Sequence, residues 1–150
     1  MCYKYADYVI RKYNEEKVLL SNKALQKILF LANVIYARKT GTKMFDDDFY
    51  AWEYGPVMPS IYANYSRYQT GNMLPISLRE ENIDFEKSMA LKEAMNYAEK
   101  IGIQKLIDNT HKVGTPWQNS FSQDALNKIE FSDILKFYSV QKNFDGLIEA

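Results

Sequence analysis

The stretch SNKALQKILFLANVIYARKTG, residues 21–41, constrains the chain more than any other. Leu25, Ile28, Leu29, Ala32, Ile35 and Tyr36 recur at the spacing of one helical face. Phe30, Leu31 and Val34 carry apolar side chains beyond that stripe, and a helix that is apolar around most of its circumference is buried on several sides. Ser21 or Asn22 offers a short side-chain oxygen to the free amides of the first turn, and Gly41 offers a positive-φ stop. The sequence therefore predicts a central helix with the rest of the chain packed around it.

Its neighbours are shorter helices. Ala6, Val9, Ile10 and Tyr13 give an amphipathic first helix over about residues 3–15, which EEKVLLS ends. After the loop or short extended piece TGTKMFDDDFY, a third helix starts at Val57 or Pro59 and runs to Tyr68, because proline suits a first turn where its missing N–H is no loss. TGNMLPISLRE reads as a turn plus a short strand or irregular piece, with Pro75 excluding a helix interior. Asp84 or Ser88 caps the next helix, which is lined by Leu91, Ala94, Met95, Ala98 and Ile101 and ends at Gly102. A short helix follows over 104–111, residues 110–121 read as turn, and the tail reads as one or two short helices, the clearer being capped by Ser132 and running to Val140. The fold class expected is mainly α, a single multi-helix domain over 1–150 with its core at about 3–140 and at most short peripheral β elements.

Charge and composition narrow the function. Nineteen basic residues balance nineteen acidic ones in 150, so there is no overall field to gather a phosphate backbone, and nucleic acid is an unfavoured partner. Hydrophobic residues at 47% and charged residues at 25% are ordinary for a globular chain. Cys2 is the single cysteine, which excludes an intrachain disulfide and a cysteine-based zinc site and suits a reducing cytoplasm. No run of about 18 apolar residues is present to span a bilayer, and MCYKYADYVIRKY has charges throughout, unlike a secretory leader.

Catalytic patterns are absent. His111, the one histidine, has only Cys2 or a serine as a nucleophile to serve, and no G-x-S-x-G text surrounds a serine. Asp46, Asp47 and Asp48 lack calcium-loop spacing, and consecutive aspartates in a loop do not converge on one ion. The six glycines, at 41, 55, 71, 102, 114 and 146, build no phosphate-binding fingerprint. No catalytic residue, metal or cofactor is expected. A stacking surface for nucleic acid would use Trp52, Tyr54, Tyr62, Tyr65 and Tyr68 with Arg38, Lys39 and Arg67, but Glu53 and the aspartates would repel a backbone there.

The densest text is AWEYGPVMPSIYANY, residues 51–65. Together with LQKILFL at 25–31, the longer stretch TKMFDDDFYAWEYGPVMPSIY at 42–62, and Thr110-His111 followed by Pro116-Trp117, it resembles the Panacea family, the antitoxin domain related to SocA and to phage-associated GepA-like proteins. The W-x-x-G-P-V-x-P-x-x-Y core is the specific part. Met44 stands where the family commonly has leucine, Phe30 supplies the aromatic of the first motif, and the last element carries an extra residue or so. The resemblance implies a non-enzymatic helical domain that neutralises a cognate toxin by direct binding, with some relatives delivering the toxin to a protease instead, and others found in phages and mobile elements.

The motif residues divide into two expected roles. Leu25, Lys27, Trp52, Gly55, Pro56, Val57, Pro59, Tyr62, His111 and Trp117 are expected to shape the scaffold, with Trp52 and Trp117 as core pillars, since a buried tryptophan removes a large area from water. Tyr54, Met58, Tyr65 and Arg67 are expected to face solvent and meet the partner, aromatic side chains being typical interface anchors.

Overall fold

The computed structural model describes residues 3–53, 55–66, 73–77, 79–110, 115–121 and 127–139. Helix α1 (Tyr3–Glu15) buries Ala6, Val9 and Ile10 on one face. It ends in a left-handed cap at Lys17, φ 57°, where Lys17 N donates to Asn14 O at 3.1 Å and Val18 N to Tyr13 O at 3.0 Å. This pair of bonds is the Schellman closure. Helix α2 (Asn22–Thr40) begins at Ser21, whose side chain accepts from Ala24 N at 3.0 Å, and stops at Gly41, φ 75°. Between these caps, Leu25, Ile28, Leu29, Ala32 and Ile35 are completely buried and Phe30, Leu31 and Val34 nearly so. α2 is the central helix its all-round apolar pattern predicts.

Strands β1 (Phe49–Trp52) and β2 (Gly55–Val57) form an antiparallel hairpin in register Tyr50↔Val57, Ala51↔Pro56 and Trp52↔Gly55. Helix α3 (Pro59–Tyr65) follows, with Pro59 in its first turn. It is shorter than expected at both ends: Val57 belongs to β2, and residues 67 and 68 lie outside the described residues. An irregular strap over 73–77 leads towards helix α4 (Phe85–Ile101), which is capped by Asp84. Helices α5 (Ile103–Thr110) and α6 (Pro116–Phe121), strand β3 (Lys128–Ile129) and helix α7 (Phe131–Ser139) complete the described chain. α6 forms inside a segment read as turn, because Pro116 serves as its first residue. Ser132 does not cap α7, which starts one residue earlier with Ile134 N donating to Glu130 O.

Among the described residues the protein is mainly α, with one peripheral sheet in the order β2-β1-β3, both pairings antiparallel. α2 packs against α1, α3, α4, α5, α7 and β2. Pro56 sits on the edge strand β2, where its missing N–H breaks no ladder. The aspartates splay as neighbours in a loop should. Asp47 accepts from Ser60 Oγ at 3.1 Å, and Asp48 lies 3.6 Å from Lys43 and 3.5 Å from Lys128.

Polar side chains of α1 fasten the strap. Asp7, wholly buried, accepts from Ile76 N at 2.8 Å, Ser77 N at 2.9 Å and the Tyr65 hydroxyl at 2.6 Å. Arg11 donates to Ser77 O at 2.6 Å and Asn14 to Met73 O at 3.0 Å. The spacing 7, 11, 14 is one helical stripe, so a single face of α1 satisfies backbone groups that no strand or helix pairs.

Candidate functional site

The W-x-x-G-P-V-x-P motif forms a corner laid on the first turns of α2. Gly55 has φ +119°, and a Cβ there would stand 2.7 Å from Lys27 Cε and 3.1 Å from Thr110 Oγ1. Glycine is required both by the backbone conformation and by the approach of the lysine stem. Lys27, 1% exposed, donates from Nζ to Pro56 O at 3.0 Å. Beside Lys27 and one turn before it on α2, the Gln26 and Asn22 amides continue the clamp. Gln26 Oε1 accepts from Met58 N at 2.9 Å, Gln26 Nε2 donates to Asn22 Oδ1 at 3.1 Å, and Asn22 Nδ2 donates to Tyr62 O at 3.0 Å. Buried polar groups that are fully paired fix a unique geometry, and here they hold the passage from β2 into α3.

Burial first, and then the nearby Lys23, pulls the Lys27 amine down to about 7. In the unfolded chain a lysine titrates near its ordinary value of about 10.4. Below about pH 7 both states carry the proton, and the folded state holds a desolvated ammonium. Between about 7 and 10 only the unfolded chain carries it, so this group makes stability rise with pH by up to roughly 1.4 kcal/mol per unit. Lys27→Met should therefore be stabilising relative to the natural chain at about pH 6 and lose that advantage by about pH 9, where the neutral amine keeps its bond to Pro56. Urea midpoints at the two pH values measure this; a difference that does not change with pH would show that Lys27 is not deprotonated in the fold.

The outer side of the corner is aromatic. Phe49 and Ala51 of β1 point into the core, so the alternation of the strand turns Trp52 outward, where it is 39% exposed. Its ring meets Tyr62 edge-on at 5.1 Å. The indole N–H of Trp117 donates to Trp52 O at 2.6 Å, and the Trp117 ring stacks on Phe121 at 4.8 Å and 15°. Phe121 is 43% exposed. Tyr62, Trp52, Trp117 and Phe121 thus form a connected aromatic face across α3, β1 and α6.

Several site expectations are corrected by this arrangement. Met58 and Tyr65, expected to face solvent, are completely buried. Met58 packs in the core while its N–H is held by Gln26, and the Tyr65 hydroxyl bonds to Asp7. Burial first, and then that bond to a carboxylate, raises the Tyr65 pKa. Trp52 is a surface ring rather than a core pillar, and Trp117 is half-buried against the core edge. Leu25, Lys27, Gly55, Pro56 and Val57 are buried in the corner, as scaffold residues should be. Tyr54, Arg67 and His111 lie outside the described residues. Sequence reasoning missed Phe121, Gln26, Asn22 and Asp7; the FYAW alternation could have exposed Trp52, whereas the bond from Tyr65 to Asp7 spans 58 residues and leaves no local trace.

No described helix is long and apolar enough to cross a membrane. No curated protein and no solved structure matches the chain. The family model for the antitoxin SocA-like, Panacea domain matches residues 25–118, a span that runs from the first motif residue of α2 to just past Trp117. The chain belongs to the antitoxin SocA-like, Panacea domain family.

Proposed function

We propose that the protein is a non-enzymatic, antitoxin-like interaction domain of the cytoplasm, carried on a mobile element, that neutralises a cognate toxin by direct binding. The aromatic face of Tyr62, Trp52, Trp117 and Phe121 carries this reading. Large aromatic rings that are partly exposed yet fixed by mutual contacts contribute much contact area with little ordering entropy. The clamp of α2 on the corner holds that face in place before any partner arrives. Tyr54, which follows Glu53 in the connection between β1 and β2, belongs to the proposed contact, as does Arg67 beyond α3. Met58 and Tyr65, both completely buried, belong to the core and not to the proposed contact.

The experiment is co-expression with the product of the adjacent reading frame. The natural chain should restore growth, and a Trp52→Ala, Phe121→Ala double variant should fail to do so while remaining folded. Rescue that persists only when a host protease is present would move the mechanism from sequestration to delivery. Failure of the natural chain to restore growth, together with tight and salt-sensitive DNA binding, would replace the reading with a nucleic-acid-contacting regulator.

A further inference from the structure

Where α5 and α7 pack against α2, a small cavity leaves about 10 Å³ open to the centre of a water molecule. Phe30 and Val34 of α2 and Leu106 of α5 give it apolar walls, and Asn109 and Thr110 of α5 and Tyr138 of α7 also line it. Two of these polar side chains lack partners. Asn109 is 4% exposed, and its side-chain nitrogen is buried without a hydrogen bond. An amide left in that state forfeits the bonds it made to solvent in the unfolded chain. Tyr138 is also 4% exposed, and its hydroxyl makes no hydrogen bond among the described residues. The ring stands edge-on to Phe30 at 5.9 Å and to Phe137 at 4.7 Å, so packing sets where that hydroxyl lies. Its pKa is raised by burial, as expected of a phenol withdrawn from solvent.

The rest of the lining decides what satisfies both groups. No charged side chain lines the cavity among the described residues, so an ion would enter without a countercharge, at a high desolvation cost. A cavity that stays dry is apolar on all sides, whereas this one presents an amide donor and a hydroxyl. Its size meets the lower end of the roughly 10–15 Å³ that one water requires on this measure, and a buried water requires roughly two to four polar partners. Thr110 is the third polar residue of the lining. Its hydroxyl proton is on Ile107 O at 2.9 Å, which leaves the oxygen lone pairs to accept.

We propose that this cavity binds one water molecule, which accepts from Asn109 Nδ2 and pairs with the Tyr138 hydroxyl. The water joins α5 to α7 over the face of α2 and satisfies two buried groups that the chain itself does not pair. The site shares no residue with the aromatic face. It does border the motif corner, because Thr110 Oγ1 stands 3.1 Å from where a Cβ on Gly55 would lie. The bridge therefore braces the end of α5 that backs Gly55.

A high-resolution crystal structure of the full chain should show one ordered water within about 2.7–3.2 Å of both Asn109 Nδ2 and the Tyr138 hydroxyl. A double-mutant cycle in urea tests the same bridge in solution. Tyr138→Phe removes only the hydroxyl and should lower the folding equilibrium constant about three- to tenfold in the natural chain, the worth of one hydrogen bond. In an Asn109→Leu background, where an apolar side chain takes the place of the water, the same change should cost less than about twofold. An equal loss in both backgrounds, or no loss in the natural chain, would overturn the inference. So would a crystal structure with no ordered water between the two groups, and that result decides the matter even if Asn109→Leu does not fold.

Discussion

Gly55→Ala should lower the unfolding free energy by about 3–5 kcal/mol, a large part of the 5–15 kcal/mol that holds a typical domain together. Two effects add. A side chain at φ +119° is strained whatever space surrounds it, by about 1–3 kcal/mol. The new methyl would also overlap Lys27 Cε at 2.7 Å and press on Thr110 Oγ1 at 3.1 Å. The lysine stem is enclosed, so relief means moving Nζ away from Pro56 O and leaving a buried acceptor and a buried amine unpaired. Gly41→Ala separates the contributions. Gly41 is also at positive φ, 75°, but nothing lies within 4 Å of its notional Cβ, so only the backbone term of about 1 kcal/mol should appear. Urea denaturation of both variants measures the difference; equal losses would mean that the close approach of Lys27 contributes nothing.

Asp7→Ala should destabilise by a similar amount, about 3–5 kcal/mol, through a different mechanism. The carboxylate is the common acceptor for the Tyr65 hydroxyl and for the amides of Ile76 and Ser77. Removing it strands a buried hydroxyl and releases the strap from α1 at its tightest point. Asp7→Asn keeps one acceptor oxygen but turns an amide towards a donor, so its loss should be roughly half as large. Hydrogen exchange distinguishes the local effect from the global one: amides at 76 and 77 should lose protection beyond the fall in overall stability. If they exchange no faster than the core of α2, the strap is held by something other than Asp7.

The parts of the fold written in local pattern were legible. Apolar residues on every side of α2 require a central position, and Ser21, Gly41, Asp84 and Pro59 mark helix ends by their own side-chain or backbone chemistry. What escaped is decided by contacts distant in sequence. α3 is seven residues long, and a tyrosine on so short a helix satisfies either a wet or a buried setting. Tyr65 is buried with its hydroxyl on Asp7, 58 residues away, and Met58 packs into the core at a position whose backbone N–H is held by Gln26 of α2. Trp52 illustrates the reverse error. Size argued for the core, yet Phe49 and Ala51 already occupy the inward positions of β1 and leave the tryptophan on the other face. Val18 and Leu19 fall in EEKVLLS, which ends the first helix, and no periodicity there distinguishes an exposed apolar pair from a buried one.

The glycine, proline and valine of the corner are scaffold, clamped by Lys27, Gln26 and Asn22, and the rings left outside are Trp52, Tyr62, Trp117 and Phe121. An interface built this way gains affinity from preorganisation rather than from ordering on contact.

The most direct measurement is calorimetric titration of the purified natural chain, and of its Trp52→Ala, Phe121→Ala variant, with the protein encoded beside it. The variant should melt within a few degrees of the natural chain, because both rings are substantially exposed, and should bind at least about a hundredfold more weakly, a loss of roughly 3 kcal/mol from two interface anchors. Undiminished binding by the folded variant would contradict the account and place the toxin contact elsewhere on the molecule.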